Sequence, residues 1–282
     1  MTAMGTALMR AAHTRLDHPP LIDDPWGDRL ILAEERETIA ASAGAVDLDT
    51  ALRAHPSYGT VILRARYAED ALGDAIGRGV GQYVIVGAGM DSFALRAPSF
   101  ACDLEIFEVD HPSTQRFKAA RLAGCEVPLP RSLHLVAADL AETRLDAALA
   151  SSPFRSDRPA FFSWLGVSAY LTRTANLATL AGIASCAPAG SELVFSYIDQ
   201  RVLDANGGQE PLRRARARLA AAGEPWVSGF EPEQLDDDLR EAGLELLENL
   251  KPDGLGARYC ADRRDGLRPS AGAHVAHARV VG

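Results

Sequence analysis

The chain has 282 residues, 47% of them hydrophobic, which is enough for the core of one large α/β domain with additions. Its formal net charge of −9 argues against a nucleic-acid-binding surface, which normally presents a basic face. We interpret the local arginine cluster "LRRARARLA" at 212–220 as the solvated face of a helix. The four cysteines are dispersed without a CxxC pair, which is typical of reduced thiols in a cytoplasmic protein.

No long apolar segment is present. The first 20 residues lack a continuous apolar stretch of the signal-peptide type, and no run reaches transmembrane length. We therefore predict a cytoplasmic protein without a membrane partner.

The N-terminal quarter is predicted to be helical. Residues 24–44 and 57–77 carry apolar positions at three- and four-residue spacing. Asp24 precedes Pro25, and a proline suits the first turn of a helix, so this dipeptide predicts a helix start.

From residue 82 the pattern changes to short β-rich runs separated by segments compatible with helices, such as 113–123 and 174–186. The predicted strands are 82–86, 103–109, 133–137, 159–164 and 192–198. This alternation predicts right-handed crossovers and a mainly parallel sheet covered on both faces. Ligands of such sheets bind beyond the carboxyl ends of the strands.

The C-terminal third begins with a helical interruption at 200–240. Within it, the loop "DANGGQEP" at 204–211 and the helix after it are predicted to form an insertion that caps a substrate pocket. Runs at 244–249, 257–261 and 274–281 are predicted to supply the last strands.

The stretch "YVIVGAGMDSFALR" at 83–96 joins a buried strand to a glycine-rich turn at Gly87 and Gly89. A P-loop is excluded because no lysine followed by Ser or Thr comes after the second glycine. A dinucleotide fingerprint requires Gly or Ala at its sixth position, where this chain has Ser92, which weakens that interpretation.

Carboxylates follow the next two strands. "FEVDHP" contains Glu108 and Asp110, which alternate onto the same side of a strand, and "VAADL" ends the third strand with Asp139 and Leu140. An acid at the tip of the second strand suits both ribose hydroxyls of an adenosine, while Asp139 and Leu140 suit the adenine amino group and ring. Each acid alone is also typical of a helix cap or a solvated loop. Together they favour a nucleoside site.

The motifs "VIVGAGMDSFALR", "FEVDHP" and "AADL" resemble those of the leucine carboxyl methyltransferase family of class I S-adenosylmethionine-dependent methyltransferases, in its bacterial branch. "LIDDPWGDRLI", "ILRARYAED" and "ARYCADRRDGLRP" extend the resemblance over roughly residues 20–282. It implies an α/β fold with a doubly wound, Rossmann-like, mostly parallel seven-stranded sheet. We expect a single domain 1–282, made of an N-terminal helical lid (1–78), a cofactor-binding core (79–199), a helical insertion (200–240) and C-terminal strands (241–282).

The resemblance implies that the cofactor is S-adenosyl-L-methionine. By that resemblance Arg64 pairs with the carboxylate of the methionine moiety, since a guanidinium suits a carboxylate; Arg66 is its rival. The remaining cofactor contacts implied are Gly87, Ala88 and Gly89 along the methionine, Asp110 at the ribose, and Asp139 and Leu140 at the adenine. The family usually has a glutamate in the fourth-strand motif, where this chain has Leu165 in "SWLGVSAYLT".

We expect the acceptor to be a small molecule with a carboxylate or hydroxyl oxygen, and Ser168, Tyr170 and Tyr197 are candidate acceptor contacts. No histidine is placed convincingly as a general base; His111 is interpreted as a cap of the following helix. "HVAH" at 274–277 is too little for a metal site, so no metal is predicted. The alternatives are an NAD(P)-dependent oxidoreductase of the same fold and a catalytically silent nucleoside-binding protein.

Overall fold

In a computed structural model of the chain, the residues described are 2–42, 44, 47–96, 98–125, 128–140, 142–204 and 210–282. The central part of the predicted loop 204–211, residues 205–209, lies outside them.

Seven strands form one sheet. They are β1 (Gln82–Val86), β2 (Glu105–Asp110), β3 (Leu133–Ala137), β4 (Phe161–Trp164), β5 (Glu192–Ile198), β6 (Leu244–Leu250) and β7 (Ala273–Val280). Their order is β3-β2-β1-β4-β5-β7-β6. The first five run parallel, and β7 is antiparallel to both of its neighbours, β5 and β6, so β6 runs in the same direction as the first five. This is the doubly wound α/β sheet predicted, because helices cover both faces and bury β1 completely.

The strand prediction is wrong at 257–261. That run lies at the end of a helix, Pro252–Cys260, which begins with a proline in its first turn. Leu255 and Tyr259, four residues apart, both pack on the core, which is helical periodicity that a short apolar run conceals.

Thirteen α-helices lie in the described ranges of the chain. They are α1 (Thr2–Leu16), α2 (Trp26–Leu30), α3 (Ala33–Ser42), α4 (Leu48–Ala54), α5 (Tyr58–Gly77), α6 (Phe93–Arg96), α7 (Pro112–Gly124), α8 (Leu145–Ala150), α9 (Arg173–Cys186), α10 (Gln200–Leu203), α11 (Glu210–Ala221), α12 (Leu235–Glu241) and α13 (Pro252–Cys260). The segment 24–44 contains two helices, because Ile31 adopts an extended conformation. None of the thirteen helices in the described ranges is both long enough and apolar enough to cross a membrane.

Helix α5 connects the N-terminal helices to the sheet. Its C-terminal half packs Tyr67, Leu72 and Ala75 into the same cluster as strand residues Tyr83 and Phe161. Its N-terminal half packs with α1 through a separate cluster that includes Leu8 and Ile62. Because helix α5 is continuous, its N-terminal half is held beside the carboxyl edge of the sheet.

Candidate active site

A cavity of about 1070 Å³ lies at the carboxyl edge of the sheet. Its floor is formed by the ends of β1, β2, β4 and β5, and its walls by α1, α4, α5 and α11. Among the residues predicted for the site, the cavity is lined by Arg64, Gly87, Ala88, Gly89, Asp110, Ser168, Tyr170 and Tyr197. This is the position expected for a ligand in a doubly wound sheet.

The glycine turn after β1 brings the backbone to the cavity surface. Gly87 and Gly89 have backbone φ angles of 70° and 53°, in a region that residues other than glycine rarely adopt. A Cβ on Gly87 would lie 2.5 Å from Val167 Cγ2, so there is also no room for one. The backbone N–H groups of Gly87 and Ala88 donate to the Val109 carbonyl at 2.8 and 3.2 Å, which fixes the turn against β2.

Asp110, at the end of β2, stabilises this turn. Its Oδ2 accepts a hydrogen bond from the Gly89 N–H at 2.6 Å, and its Oδ1 accepts one from the His111 N–H at 2.6 Å. A carboxylate has about four acceptor positions, so both oxygens can still accept hydrogen bonds from a ligand. Asp110 therefore positions the turn while it lines the cavity.

Glu108, the other acid of "FEVDHP", is fully buried and forms an ion pair with the buried Lys118. Lys118 Nζ also donates to the Asp91 carbonyl at 2.6 Å. Burial raises the pKa of Glu108, and the charge of Lys118 opposes that rise. Glu108 does not line the cavity, so its role here is structural.

Arg64 lies on α5 and has no ion pair or hydrogen bond to any of the described residues. Its guanidinium is in contact with Gly166, which has a φ of 74°. Burial lowers the pKa of Arg64 to about 10, although Tyr170 opposes this change. An unpaired cation in a largely desolvated cavity favours an anionic ligand. Arg66, the rival, is paired with Asp70 at 2.6 Å.

The "DDP" segment connects the N-terminal helices to the glycine turn through Asp24, which is fully buried. Asp24 Oδ2 accepts from Arg10 Nε at 2.7 Å and from Ser92 Oγ at 2.5 Å. Arg10 Nη2 also donates to the Met90 carbonyl at 2.9 Å. Burial raises the pKa of Asp24, but Arg10 and Arg96 together with the Ser92 hydrogen bond outweigh it, so the pKa lies below its ordinary value. Ser92, at the position where a dinucleotide fingerprint has glycine, is therefore occupied in holding Asp24.

Asp139 and Leu140 follow β3, beyond Asp110 and outside the main cavity lining. Asp139 Oδ2 lies 3.7 Å from His111 Nε2, which places it beside the end of β2. Leu140 packs against a buried apolar cluster that includes Val109 of β2 and Val136 of β3. His111 caps α7, since its Nδ1 accepts from the Ser113 N–H at 3.2 Å, and this interpretation of His111 is confirmed.

The three candidate acceptor contacts differ in availability. Ser168 is buried and donates to the Ser196 carbonyl at 2.9 Å. Tyr197 is also buried, and its hydroxyl contacts Asn249 Oδ1 at 3.0 Å and His274 Nδ1 at 3.1 Å. Burial raises the pKa of Tyr197 above its ordinary value. The Tyr170 hydroxyl forms no hydrogen bond with the described residues. Of the three groups, it is therefore the one that can bind an acceptor without breaking a hydrogen bond within the protein.

Sequence reasoning missed His55, which lines the cavity from the segment between α4 and α5. The spacing of Ser57, Val61 and Arg64 places one face of α5 along the cavity, and His55 immediately precedes that face. This helical spacing was the sequence signal from which His55 could have been predicted to lie at the cavity. Leu165, where the family usually has an acid, also lines the cavity and adds an apolar surface there.

No group of three or more His, Cys, Asp or Glu side chains suited to a metal ion occurs among the residues placed by the structure.

Comparison with known proteins identifies the chain. The family model described as leucine carboxyl methyltransferase matches residues 3–184. The chain belongs to this family. "Putative S-adenosyl-L-methionine-dependent methyltransferase YktD" of Bacillus subtilis is 32% identical to it over 99% of this chain and 97% of that protein. A Mycolicibacterium smegmatis relative with the same methyltransferase description is 32% identical over 74% of this chain and 70% of its own.

Solved structures support the fold of this family member. A DUF574 family protein from Streptomyces avermitilis has a TM-score of 0.59 at 17% identity, covering 88% of this chain and 90% of its own. A structure described as a "putative methyltransferase" from Thermobifida fusca has a TM-score of 0.58 at 18% identity, covering 88% of this chain and 94% of its own. The fold is therefore that of the class I methyltransferases. The chain is an S-adenosylmethionine-dependent methyltransferase.

Proposed function

We propose that this methyltransferase transfers a methyl group to a carboxylate or hydroxyl oxygen of a small molecule. The observation that carries the proposal is the extent of the cavity. At about 1070 Å³ it reaches the upper end of the roughly 300–1,000 Å³ typical of single-ligand pockets. It continues past the glycine turn into a compartment between α4 and α11, which leaves space for an acceptor beside a cofactor.

The unpaired Arg64 supports the assignment of the cofactor carboxylate to this residue, because it is a cation in the cavity without an anion of its own. We place the methionine moiety along Gly87, Ala88 and Gly89. We place the ribose hydroxyls on Asp110, whose carboxylate faces the same cavity.

The adenine lies, in this proposal, beside Asp139 and Leu140, at the end of the strand next to β2. Asp139 accepts a hydrogen bond from the amino group, and Leu140 covers the ring. The proximity of Asp139 to His111, the residue after Asp110, supports a continuous ribose and adenine surface.

When bound, the cofactor supplies an activated methyl group on a sulfonium. The protein must then hold the acceptor oxygen in line with that group and exclude water, which in favourable intramolecular models is worth roughly 7–11 kcal/mol. A carboxylate acceptor is ionised at neutral pH and needs no base, whereas a hydroxyl acceptor benefits from one. Tyr170 is the available polar side chain near Arg64 for positioning either acceptor.

We further propose that the chain acts as one domain in which 1–78 and 200–240 close the cavity over the core 79–199, with 241–282 completing the sheet. Helices α1, α4 and α5 and helix α11 contribute cavity walls, which supports this division. A cytoplasmic location is proposed on the four cysteines, all of which are free.

Incubation of the protein with methyl-deuterated S-adenosylmethionine and a panel of small carboxylic acids and alcohols tests the function. Mass spectrometry of the products should show a labelled methyl ester or ether. Binding of S-adenosylhomocysteine without any labelled oxygen product would favour a silent nucleoside-binding protein, and binding of NAD in its place would favour an oxidoreductase.

A further inference from the structure

The cavity as a whole has a mainly apolar wall, and its outer compartment lies between α4 and α11. The first two turns of α5 connect it to the cofactor end, since Ser57 and Arg64 both line the cavity about 10 Å apart along the helix axis. The apolar side chains of its wall are Ile39, Leu52, Val61, Leu219, Trp226 and Val227. An acceptor with an apolar body is therefore favoured.

The acids on this wall are already engaged. Glu210 accepts hydrogen bonds from Arg213 and Arg214, each at 2.7 Å, and Glu224 also has a partner. Among the charged and titratable groups of this compartment, two donors are unengaged: the Nε2 of His55 and the guanidinium of Arg218, neither of which bonds to any residue that the structure describes.

The tautomer of His55 follows from its backbone contact. The Ser57 N–H donates to His55 Nδ1 at 3.1 Å, so the neutral ring carries its proton on Nε2. Burial lowers the pKa of His55, and the charge of Arg218 on α11 lowers it further. The neutral ring thus presents an N–H donor to the cavity and is unsuited to accept a proton from a hydroxyl, because Nδ1 would have to give up its backbone hydrogen bond.

We propose that His55 and Arg218 bind a carboxylate on the acceptor, so that the substrate is an acid with an apolar body. The His55 N–H donates to the carboxylate, and Arg218 supplies positive charge at the rim, where α11 is exposed. Once Arg64 holds the cofactor carboxylate, these two groups remain to balance a second anion. This inference rests on the proposed function, because it assigns the acceptor side of the same cavity.

Calorimetric titration of the protein saturated with S-adenosylhomocysteine tests the proposal, with 3-phenylpropanoate and octanoate compared with their neutral amides. The acids should bind at least tenfold more tightly than the amides. His55→Leu should weaken acid binding roughly tenfold, the usual loss for a hydrogen bond to a charged group, while amide binding changes little. His55→Gln, which keeps an N–H donor, should recover part of the loss.

Arg218→Gln should weaken acid binding about three- to fivefold, because its charge is exposed, and this effect should shrink in high salt. Arg144→Gln is the control, because Arg144 is an exposed arginine that pairs with Asp146 and does not line the cavity. All variants should keep the parent affinity for S-adenosylhomocysteine, which shows that the fold is intact.

Equal binding of acids and amides by the parent, or an unchanged acid preference in both the His55→Leu and Arg218→Gln variants, would overturn the inference. Methyl transfer to neutral alcohols without any acid preference would overturn it and leave the proposed function standing. An acid preference that depends on His55, without labelled oxygen product from any acceptor, would instead support the binding site and refute the O-methyltransferase proposal.

Discussion

Arg64 and Gly166 are in such close contact that a Cβ on Gly166 would lie 2.4 Å from Arg64 Nη2. Gly166 follows β4, and Arg64 lies in the second turn of α5, on the face that lines the cavity. The absence of a side chain at Gly166 therefore allows a guanidinium from the N-terminal helices to reach the end of the central sheet. This contact joins the N-terminal helices directly to the end of β4.

Gly166→Ala should displace this guanidinium and weaken binding of S-adenosylhomocysteine about tenfold, since roughly 1.4 kcal/mol corresponds to a factor of ten. Gly190→Ala is the matched control, because Gly190 also has a positive φ, of 89°, but a Cβ there meets nothing within 4 Å. The control should lose stability through backbone strain and keep its affinity. Equal affinities for both variants would contradict the role of this contact.

Arg64→Gln should weaken binding of S-adenosylhomocysteine by roughly 10- to 100-fold, the cost of a charge-assisted hydrogen bond. Arg66→Gln should change the affinity little, since Arg66 pairs with Asp70 and donates to the Leu21 carbonyl. Isothermal titration of the two variants measures the difference. An equal loss in both would show that Arg64 does not bind the cofactor carboxylate.

Asp110→Ala should weaken cofactor binding more than Glu108→Ala. The Asp110 variant loses the proposed ribose contact and the hydrogen bond that supports the glycine turn, a cost of about 1.5–3 kcal/mol. Glu108→Ala leaves Lys118 as an unpaired buried charge, so it should lower the free energy of unfolding by about 3–5 kcal/mol. Titration and urea unfolding of both variants separate these effects, and an Asp110 variant with parental affinity would refute the assignment.

Stability should fall as the pH decreases from about 6.5 towards 4. Burial lowers the pKa of His274 from 6.5 to about 4, so its neutral form is preferred in the folded protein. Above the pKa that His274 has in the unfolded chain, its neutral ring contributes fully to the free energy of unfolding. As the pH falls below that value, the unfolded chain takes up the proton before the folded protein does, and the free energy of unfolding decreases by an amount of the order of 2–3 kcal/mol. In urea unfolding between pH 7.5 and 5, His274→Asn should flatten this dependence. Identical slopes in the parent and in the His274→Asn variant would contradict the account.

Single replacements of His111, Tyr170 and Tyr197 should lower the rate with a carboxylate acceptor by less than about tenfold. A general base contributes about 10²–10⁴-fold, and a carboxylate needs none. His111 caps α7, and the Tyr197 hydroxyl is bonded to Asn249, so both are occupied structurally. A loss of more than a hundredfold in one variant, at unchanged cofactor affinity, would favour a hydroxyl acceptor with a base.

The sequence predicted those parts of the site that depend on local pattern. The glycine turn and Asp110 lie next to each other because parallel strands end at the same edge of a sheet, a consequence of periodicity and element order. The partner of Ser92 was not predictable in this way: Asp24 is 68 residues away in the chain and reaches it only when the N-terminal helices fold over the sheet. The burial of Glu108 depends likewise on Lys118, which a helix later in the chain supplies.

His55 was missed for the same physical reason. No short motif contains it, and its exposure to the cavity depends on how α4, α5 and α11 pack together. The error at 257–261 is different, because a short apolar run fits a strand or a helix equally well until its packing is known.

A crystal structure of the protein with S-adenosylhomocysteine tests the central claim most directly. The account predicts that the methionine carboxylate lies on Arg64, the ribose hydroxyls on Asp110, and the adenine beside Asp139 and Leu140. The compartment lined by His55 and Arg218 should stay free for the acceptor. Density that places the cofactor carboxylate on Arg218 and the adenine away from Asp139 would contradict both the orientation of the cofactor and the assignment of the acceptor site.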